Sequence, residues 1–281
     1  MIDELQHLLL VVATGTFTEA AHRAHLTQPA LSASVRRLEE RVGARLLERL
    51  PRGAKLTAAG EAWLPHARAA VGAWEAGRRA VAEIEGLSAG RVTVGGGATA
   101  CTYLLPTILT AFRARYPGVT LRVREVLTPM VPDAVAAGEL DLGVGEGIGE
   151  PWLEDQLILV GAPGLKMPAP FVTFIQGSSV RATLEASFPE AEIAIELGSI
   201  ASVKGLTRAG MGVALLSRSA CLDDLAHGSL VELTDPRTPM RRPLGLLHLG
   251  IERLSPAARA LREMILDVAY AADLNPARAS V

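Results

Sequence analysis

The residues of this 281-residue chain that could carry chemistry are few and lie far apart. Cys101 falls at the start of an expected helix, where the helix dipole lowers a thiol pKa and favours nucleophilic attack, but no histidine in a catalytic motif accompanies it. His22 and His25 stand one helical turn apart and could share a metal, yet no cysteine or acidic motif completes the set. Cys221 is the only other cysteine, so neither a metal-ligand spacing nor a disulfide framework arises, which fits a reducing compartment. No catalytic residue, bound metal or cofactor is expected, and the chain does not read as an enzyme. Two features remain. The run from Gly95 to Thr102 is rich in glycine and joins a strand to a helix, a geometry whose amides hold anions. Thr99 adds a directional hydroxyl there, followed by Ala100 and Cys101. Between residues 20 and 57, eight basic residues face three acidic ones, in a chain whose net charge is only -2. Such a local excess points to a polyanionic partner for that segment.

The basic segment lies within a series of short helices. Leu5, Leu8, Leu9 and Val12 recur at helical spacing from Asp3 to Ala13, with Asp3 to Gln6 readable as a capping box and Gly15 as the stop. Thr16 and Glu19 form a second box ahead of a short helix carrying Phe17, Ala20, Ala21 and Ala24 inward. Thr27 then caps a third helix, with Pro29 tolerated in its first turn and Gly43 closing it. Leu31, Val35 and Leu38 form the buried face of that helix. Gln28, Ser32, Ala33, Arg36 and Arg37 face partly outward, the small and polar surface that insertion into a major groove requires. Leu46 to Leu56 reads as two strands around Pro51-Arg52-Gly53, a wing whose tip arginine reaches the adjacent minor groove. Thr27, Gln28, Pro29, Ser32, Arg36 and Arg52 are therefore the candidate DNA contacts. Thr57 caps a long helix to about Leu87, in which Trp63, Ala67, Ala70, Trp74, Gly77, Val81 and Ile84 alternate in steps of four and three. This spacing suits a dimerisation seam, with a helix packed on its own domain as the alternative.

From Arg91 onward, short β-prone runs alternate with helical ones, which predicts a mostly parallel sheet covered by helices. Ligands of such sheets gather beyond the carboxyl ends of the strands, so Thr128 joins Thr99 as a candidate contact. Gln176-Gly177-Ser178-Ser179 and Gly198-Ser199-x-x-Ser202 are two further strand-to-helix junctions, with Ser199 and Ser202 the candidates and simple helix capping the alternative. Hydrophobic residues at 49% and charged residues at 21% are those of a globular protein. No apolar run approaches the roughly 20 residues that span a bilayer, and the N-terminus lacks a secretory pattern, so a cytoplasmic protein is expected.

Phe17-Thr18-Glu19-Ala20-Ala21, Leu26 through Ser32, Arg37-Leu38-Glu39 and Leu56-Thr57-x-x-Gly60 resemble the N-terminal signature of LysR-type transcriptional regulators. Leu105-Pro106, Tyr116-Pro117, Gly138 through Leu142 and Ala209 through Leu216 are similar to the effector domain of that family. The resemblance implies a mixed fold: a winged helix-turn-helix over residues 1-58, a linker helix over 59-88, and a two-lobed α/β, periplasmic-binding-protein-like domain over 89-281. Lobe I would take residues 91-148 and 240-275, and lobe II residues 149-239. It further implies double-stranded promoter DNA, a small effector between the lobes, a homodimer or homotetramer, and RNA polymerase as partners. The position of Thr99 commonly touches effector in such proteins. Glu196-Leu197-Gly198-Ser199 followed by Val203-Lys204 resembles a variant found in carbon-fixation and sulfur-assimilation branches, which suggests an anionic metabolite. Lys204 itself reads as a solvated helix residue. A DNA-binding architectural or effector-independent regulator is the alternative. Ala33 departs from the basic residue many relatives carry there, and the stretch from Leu157 to Gln176 is shorter than usual.

Overall fold

The structure, a computed structural model, describes residues 1-50, 53-84 and 90-267. It divides into two units, Met1–Gly86 with Ala136–Glu139, and the remainder.

In the first unit, α1 (Ile2–Thr14) ends at Gly15, whose φ of 73° is a left-handed conformation that glycine adopts without steric cost. The Asp3-Gln6 box does not form. The helix begins directly after Met1, so Asp3 lies inside the first turn, where its charge complements the helix dipole. Thr16 accepts the Glu19 amide and starts α2 (Phe17–Arg23), and Thr27 accepts the Ala30 amide and starts α3 (Gln28–Val42). Gly43 closes α3 with φ 76°. Leu31, Val35 and Leu38 of α3 pack with Leu5, Leu8, Val11 and Phe17 in one core. An antiparallel hairpin follows, β1 (Leu47–Leu50) and β2 (Gly53–Leu56). The Ala54 amide donates to the Gly15 carbonyl at 2.8 Å, so the hairpin hangs on the turn that ends α1. A Cβ at Gly53 would come within 2.6 Å of that same carbonyl, and φ there is 144°, which together explain the glycine.

Thr57 accepts the Gly60 amide at 3.0 Å and opens α4 (Ala58–Ile84). The seven-residue seam divides in two. Ala67 is buried and Trp63 partly buried against the first unit's own core, so these positions hold the helix to its domain. Ala70, Trp74, Gly77 and Val81 are exposed, Trp74 by 51% and Val81 by 56%. The side chain of Ile84 lies outside the described residues.

The second unit begins with β3 (Arg91–Gly96), a π-helical turn at Ala100–Leu104 leading into α5 (Leu105–Arg115), and β4 (Thr120–Glu125). α6 (Val131–Ala136) and β5 (Leu142–Glu146) complete this arm. β6 (Glu150–Gly161) then crosses to a second lobe built from β7 (Phe171–Phe174), α7 (Ser179–Ser187), β8 (Ile193–Leu197), α8 (Ile200–Arg208), β9 (Ala214–Ser217), α9 (Arg218–Ala226) and β10 (Val231–Glu232). β11 (Met240–Leu247) returns to the first lobe, and α10 (Pro256–Leu266) packs there beside α5.

The main sheet runs β10-β6-β11-β5-β3-β4, with β9 also on β6. It is mixed rather than mostly parallel. β3 pairs parallel with β4 and β5, whereas β6 and β11 run in opposite directions because one leaves the first lobe and the other returns. Phe112, Ile108, Leu142 and Leu261 centre one lobe's core, and Ile158, Leu184, Phe188 and Leu216 the other's. The passage between lobes falls inside the two crossing strands, near the cross-strand pair Asp155 and Arg242.

Candidate functional site

On the first unit, α3 presents Thr27, Pro29 and Arg36 exposed, with Gln28 and Ser32 half-buried beside them. Arg52, expected at the hairpin tip, lies outside the described residues. The basic charges of this segment are used in different ways. Arg37 and Arg41 reach the buried carboxylate of Glu4 at 3.4 and 3.3 Å, so they tie α3 to α1. Arg36 lies 3.4 Å from Glu40 on the exposed face, a pairing that water weakens to at most about 1 kcal/mol. Glu39 accepts the amides of Leu46 and Leu47 at 2.8 and 3.0 Å, fixing the entry of the hairpin against α3. No local sequence pattern sets Arg49 apart from the other basic residues of the segment. Its guanidinium stands 4.5 Å from the Phe17 ring centre and donates to the Ser32 hydroxyl, so an exposed strand cation is held against the outer face of α3. The alternation of β1 does not announce this, because Glu48, Arg49 and Leu50 are all exposed.

In the second unit a cavity of about 230 Å³ opens between the lobes. From the first lobe it takes residues 97-100, 125-128 and 144-146, and from the second residues 174-175, 178-180, 198 and 200; Arg242 and Leu244 of β11 also line it. These are the strand-to-helix junctions at which ligands of open α/β sheets collect. Thr99 and Ala100 line the cavity and are buried, at 8% and 4% exposure, and the Thr99 side chain does not cap the turn that follows. Thr128 also lines it. A Cβ on Gly97 would fall 2.6 Å from the Thr128 hydroxyl, so that glycine is what lets the hydroxyl lie against the turn. Ser178 stands at the N-cap of α7 without capping it, and Ser179 follows. The hydroxyls of Thr99, Thr128, Ser178 and Ser179 have no hydrogen-bond partner among the described residues.

Three other candidates sit elsewhere. Cys101 turns away from the cavity, its Sγ 3.4 Å from the Gly96 carbonyl and 3.5 Å from that of Arg124. Burial, followed by the nearby Glu125, pushes its thiol up to about 11, the opposite of an activated nucleophile. Ser199 accepts the Ser202 amide at 3.1 Å and bonds the Ser202 hydroxyl at 2.8 Å, so both serve to cap α8 while Gly198 and Ile200 line the cavity. Lys204 is not solvated. It is buried, 2.6 Å from Asp224, and donates to the Ala220 carbonyl. Burial opposes its charge, but the hydrogen bond to Asp224 and the nearby Tyr103 outweigh it and raise its pKa.

Beneath the cavity is a pair that no local pattern suggested. Arg242 and Asp155 are 5% and 3% exposed and 3.1 Å apart, and Ser219 donates to the other Asp155 oxygen at 3.0 Å. The Arg242 Nε and Asp155 Oδ2 nevertheless have no hydrogen-bond partner. Among the described residues no group of three histidine, cysteine or acidic side chains could hold a metal, and no helix is long and apolar enough to cross a membrane.

Comparisons with known proteins match both parts of the chain. Residues 2-61 match the family model described as a bacterial regulatory helix-turn-helix protein of the lysR family, and residues 85-269 match that of the LysR substrate binding domain. A probable RuBisCO transcriptional regulator of Nostoc sp. is 29% identical over 98% of this chain and 90% of its own length. The HTH-type transcriptional regulator CfxR of Cupriavidus necator is 30% identical over 95% of this chain and 91% of its own. Full-length CbnR, solved in complex with its target DNA, shares the fold with a TM-score of 0.63 at 21% identity, covering 94% of this chain and 98% of that one. With a DNA-binding helix-turn-helix at one end and an effector-binding domain at the other, this chain belongs to the LysR family of transcriptional regulators.

Proposed function

We propose that this regulator is a cytoplasmic homo-oligomer whose affinity for promoter DNA is reset by a small metabolite, carrying a carboxylate or other oxyanion, in the cavity between its lobes. The observation that carries this reading is the set of four unpartnered hydroxyls around the cavity, of Thr99, Thr128, Ser178 and Ser179. A hydroxyl that lines a pocket and bonds no neighbouring residue keeps its donor and acceptor capacity free for a guest. The N-termini of α7 and α8 border the same space and favour negative charge. On DNA, α3 enters the major groove with Thr27, Gln28, Pro29, Ser32 and Arg36, Arg52 of the hairpin tip reaches the flanking minor groove, and Arg49 adds a phosphate contact. The DNA-bound state of CbnR supports the same docking here. Copies of the chain pair through the exposed stripe of Ala70, Trp74 and Val81, and the bound regulator acts on RNA polymerase.

The test is a titration of the full-length protein on promoter DNA recovered from a genome-wide binding map, with and without small carboxylates, phosphates and sulfur oxyanions. A compound that shifts the DNA affinity of the native protein and fails to do so in Thr99→Val supports the reading. If no compound shifts it, the effector-independent alternative stands instead.

A further inference from the structure

We propose that the ligand of this cavity is a small amino acid, bound as a zwitterion. The inference rests on reading the cavity as an effector site and adds the charge of the guest. Two carboxylates line the cavity: Glu125, which ends β4 and is exposed, and Glu146, which ends β5 and is half-buried. Neither has an ion-pair partner among the described residues, unlike Glu150, Glu185 or Glu196 in the same unit. Among the described residues, Arg242 is the one cation on the wall, and it already faces Asp155 at 3.1 Å, so it leaves both glutamates unbalanced. The wall therefore combines an anion-seeking side and a cation-seeking side. Thr99, a residue only 8% exposed, offers an unpartnered hydroxyl at the cavity wall, with Thr128 beside it and the uncapped start of α7 opposite. These groups suit a carboxylate.

A ligand with only negative groups would be repelled by both glutamates, more by the half-buried Glu146 than by the exposed Glu125, where water screens charge better. One with only an ammonium group would leave the hydroxyls and helix amides unfilled. An amino acid satisfies both sides, its carboxylate toward Thr99, Thr128 and α7 and its ammonium toward Glu125 and Glu146. The same glutamates act against dicarboxylates and phosphates, and specificity often comes from such a repulsive element.

The test is calorimetry and thermal shift on the full-length protein with three matched sets: the twenty standard amino acids, the same molecules with the ammonium replaced by hydrogen, and the corresponding decarboxylated amines. One amino acid should raise the unfolding temperature and bind at least tenfold more tightly than both of its truncated partners. In Glu125→Gln/Glu146→Gln, the advantage over the deaminated acid should fall at least tenfold. The proposal is overturned if a deaminated acid, or succinate as a dicarboxylate control, binds the native protein as tightly as any amino acid. In that case, loss of the binding in Thr99→Val would leave the effector reading of the cavity standing. If no member of any set binds, the proposal fails, and the effector reading is decided by the phosphates and sulfur oxyanions of the promoter titration.

Discussion

The helix starts of the DNA-binding unit and those around the effector-unit cavity treat their hydroxyls differently. In the DNA-binding unit, the hydroxyls of Thr16, Thr27 and Thr57 each accept an amide at a helix start, Glu39 holds two amides of the hairpin, and Glu4 collects Arg37 and Arg41. Around the cavity of the effector unit, the hydroxyls of Thr99 and Ser178 stand at comparable helix starts and remain open. A surface that must fit a fixed partner gains from side chains locked by neighbours. A pocket that must respond gains from groups whose bonds are completed by the ligand, because only a ligand that differs in its interaction with two states can shift their balance.

The largest expected effect comes from the buried pair beneath the cavity. Asp155→Ala leaves Arg242 charged and uncompensated, a loss of about 3–5 kcal/mol by analogy with other broken buried pairs. Urea denaturation followed by a probe in the effector unit should show it, and a loss below about 1 kcal/mol would mean that water already supports Arg242. Next is Gly97→Ala. The added Cβ would stand 2.6 Å from the Thr128 hydroxyl, which must move. Affinity for the best-binding amino acid should fall at least tenfold by calorimetry, and an unchanged Kd would remove Thr128 from the site.

How much of this was legible beforehand follows the range of each interaction along the chain. Caps at Thr16, Thr27 and Thr57 and stops at Gly15 and Gly43 involve residues three or four apart, and the pattern around them carries the helices directly. Thr99 and Thr128 were reachable because strand-to-helix junctions have a known ligand side. Ser199 satisfies the same pattern and yet caps its own helix, since the pattern says nothing of whether Ser202 takes the hydroxyl. Lys204 looks solvated in the sequence because its partner, Asp224, is 20 positions away on another helix. Arg242 and Asp155 are 87 positions apart and meet only because the two crossing strands align them. The antiparallel crossing was hidden for the same reason: alternation of elements does not reveal which strand returns between lobes. In α4, the heptad spacing cannot separate a seam from a core, and both occur along one helix.

Within the DNA-binding unit, Arg37 and Arg49 test whether cations assigned to packing and to DNA can be separated. Arg49→Ala should weaken promoter binding and lower the slope of log affinity against log salt by about 1, as expected when one phosphate contact is lost. Arg37→Ala should leave the slope unchanged and lower stability instead, because Glu4 keeps its burial with one partner fewer. If the slope falls equally in both, the contact with Glu4 does not withhold Arg37 from DNA.

The smallest effect is the most discriminating, since it compares two serines in the same position of two nine-residue helices. Ser199 accepts an amide of α8 and Ser178 accepts none of α7. Ser199→Ala should therefore cost about 1 kcal/mol of stability, the usual value of an N-cap. Ser178→Ala should cost a few tenths of that or less in the unliganded protein and weaken amino-acid binding instead. Equal losses of stability would mean that Ser178 caps its helix in solution, and the contrast between a satisfied helix start and one kept open for a ligand would disappear.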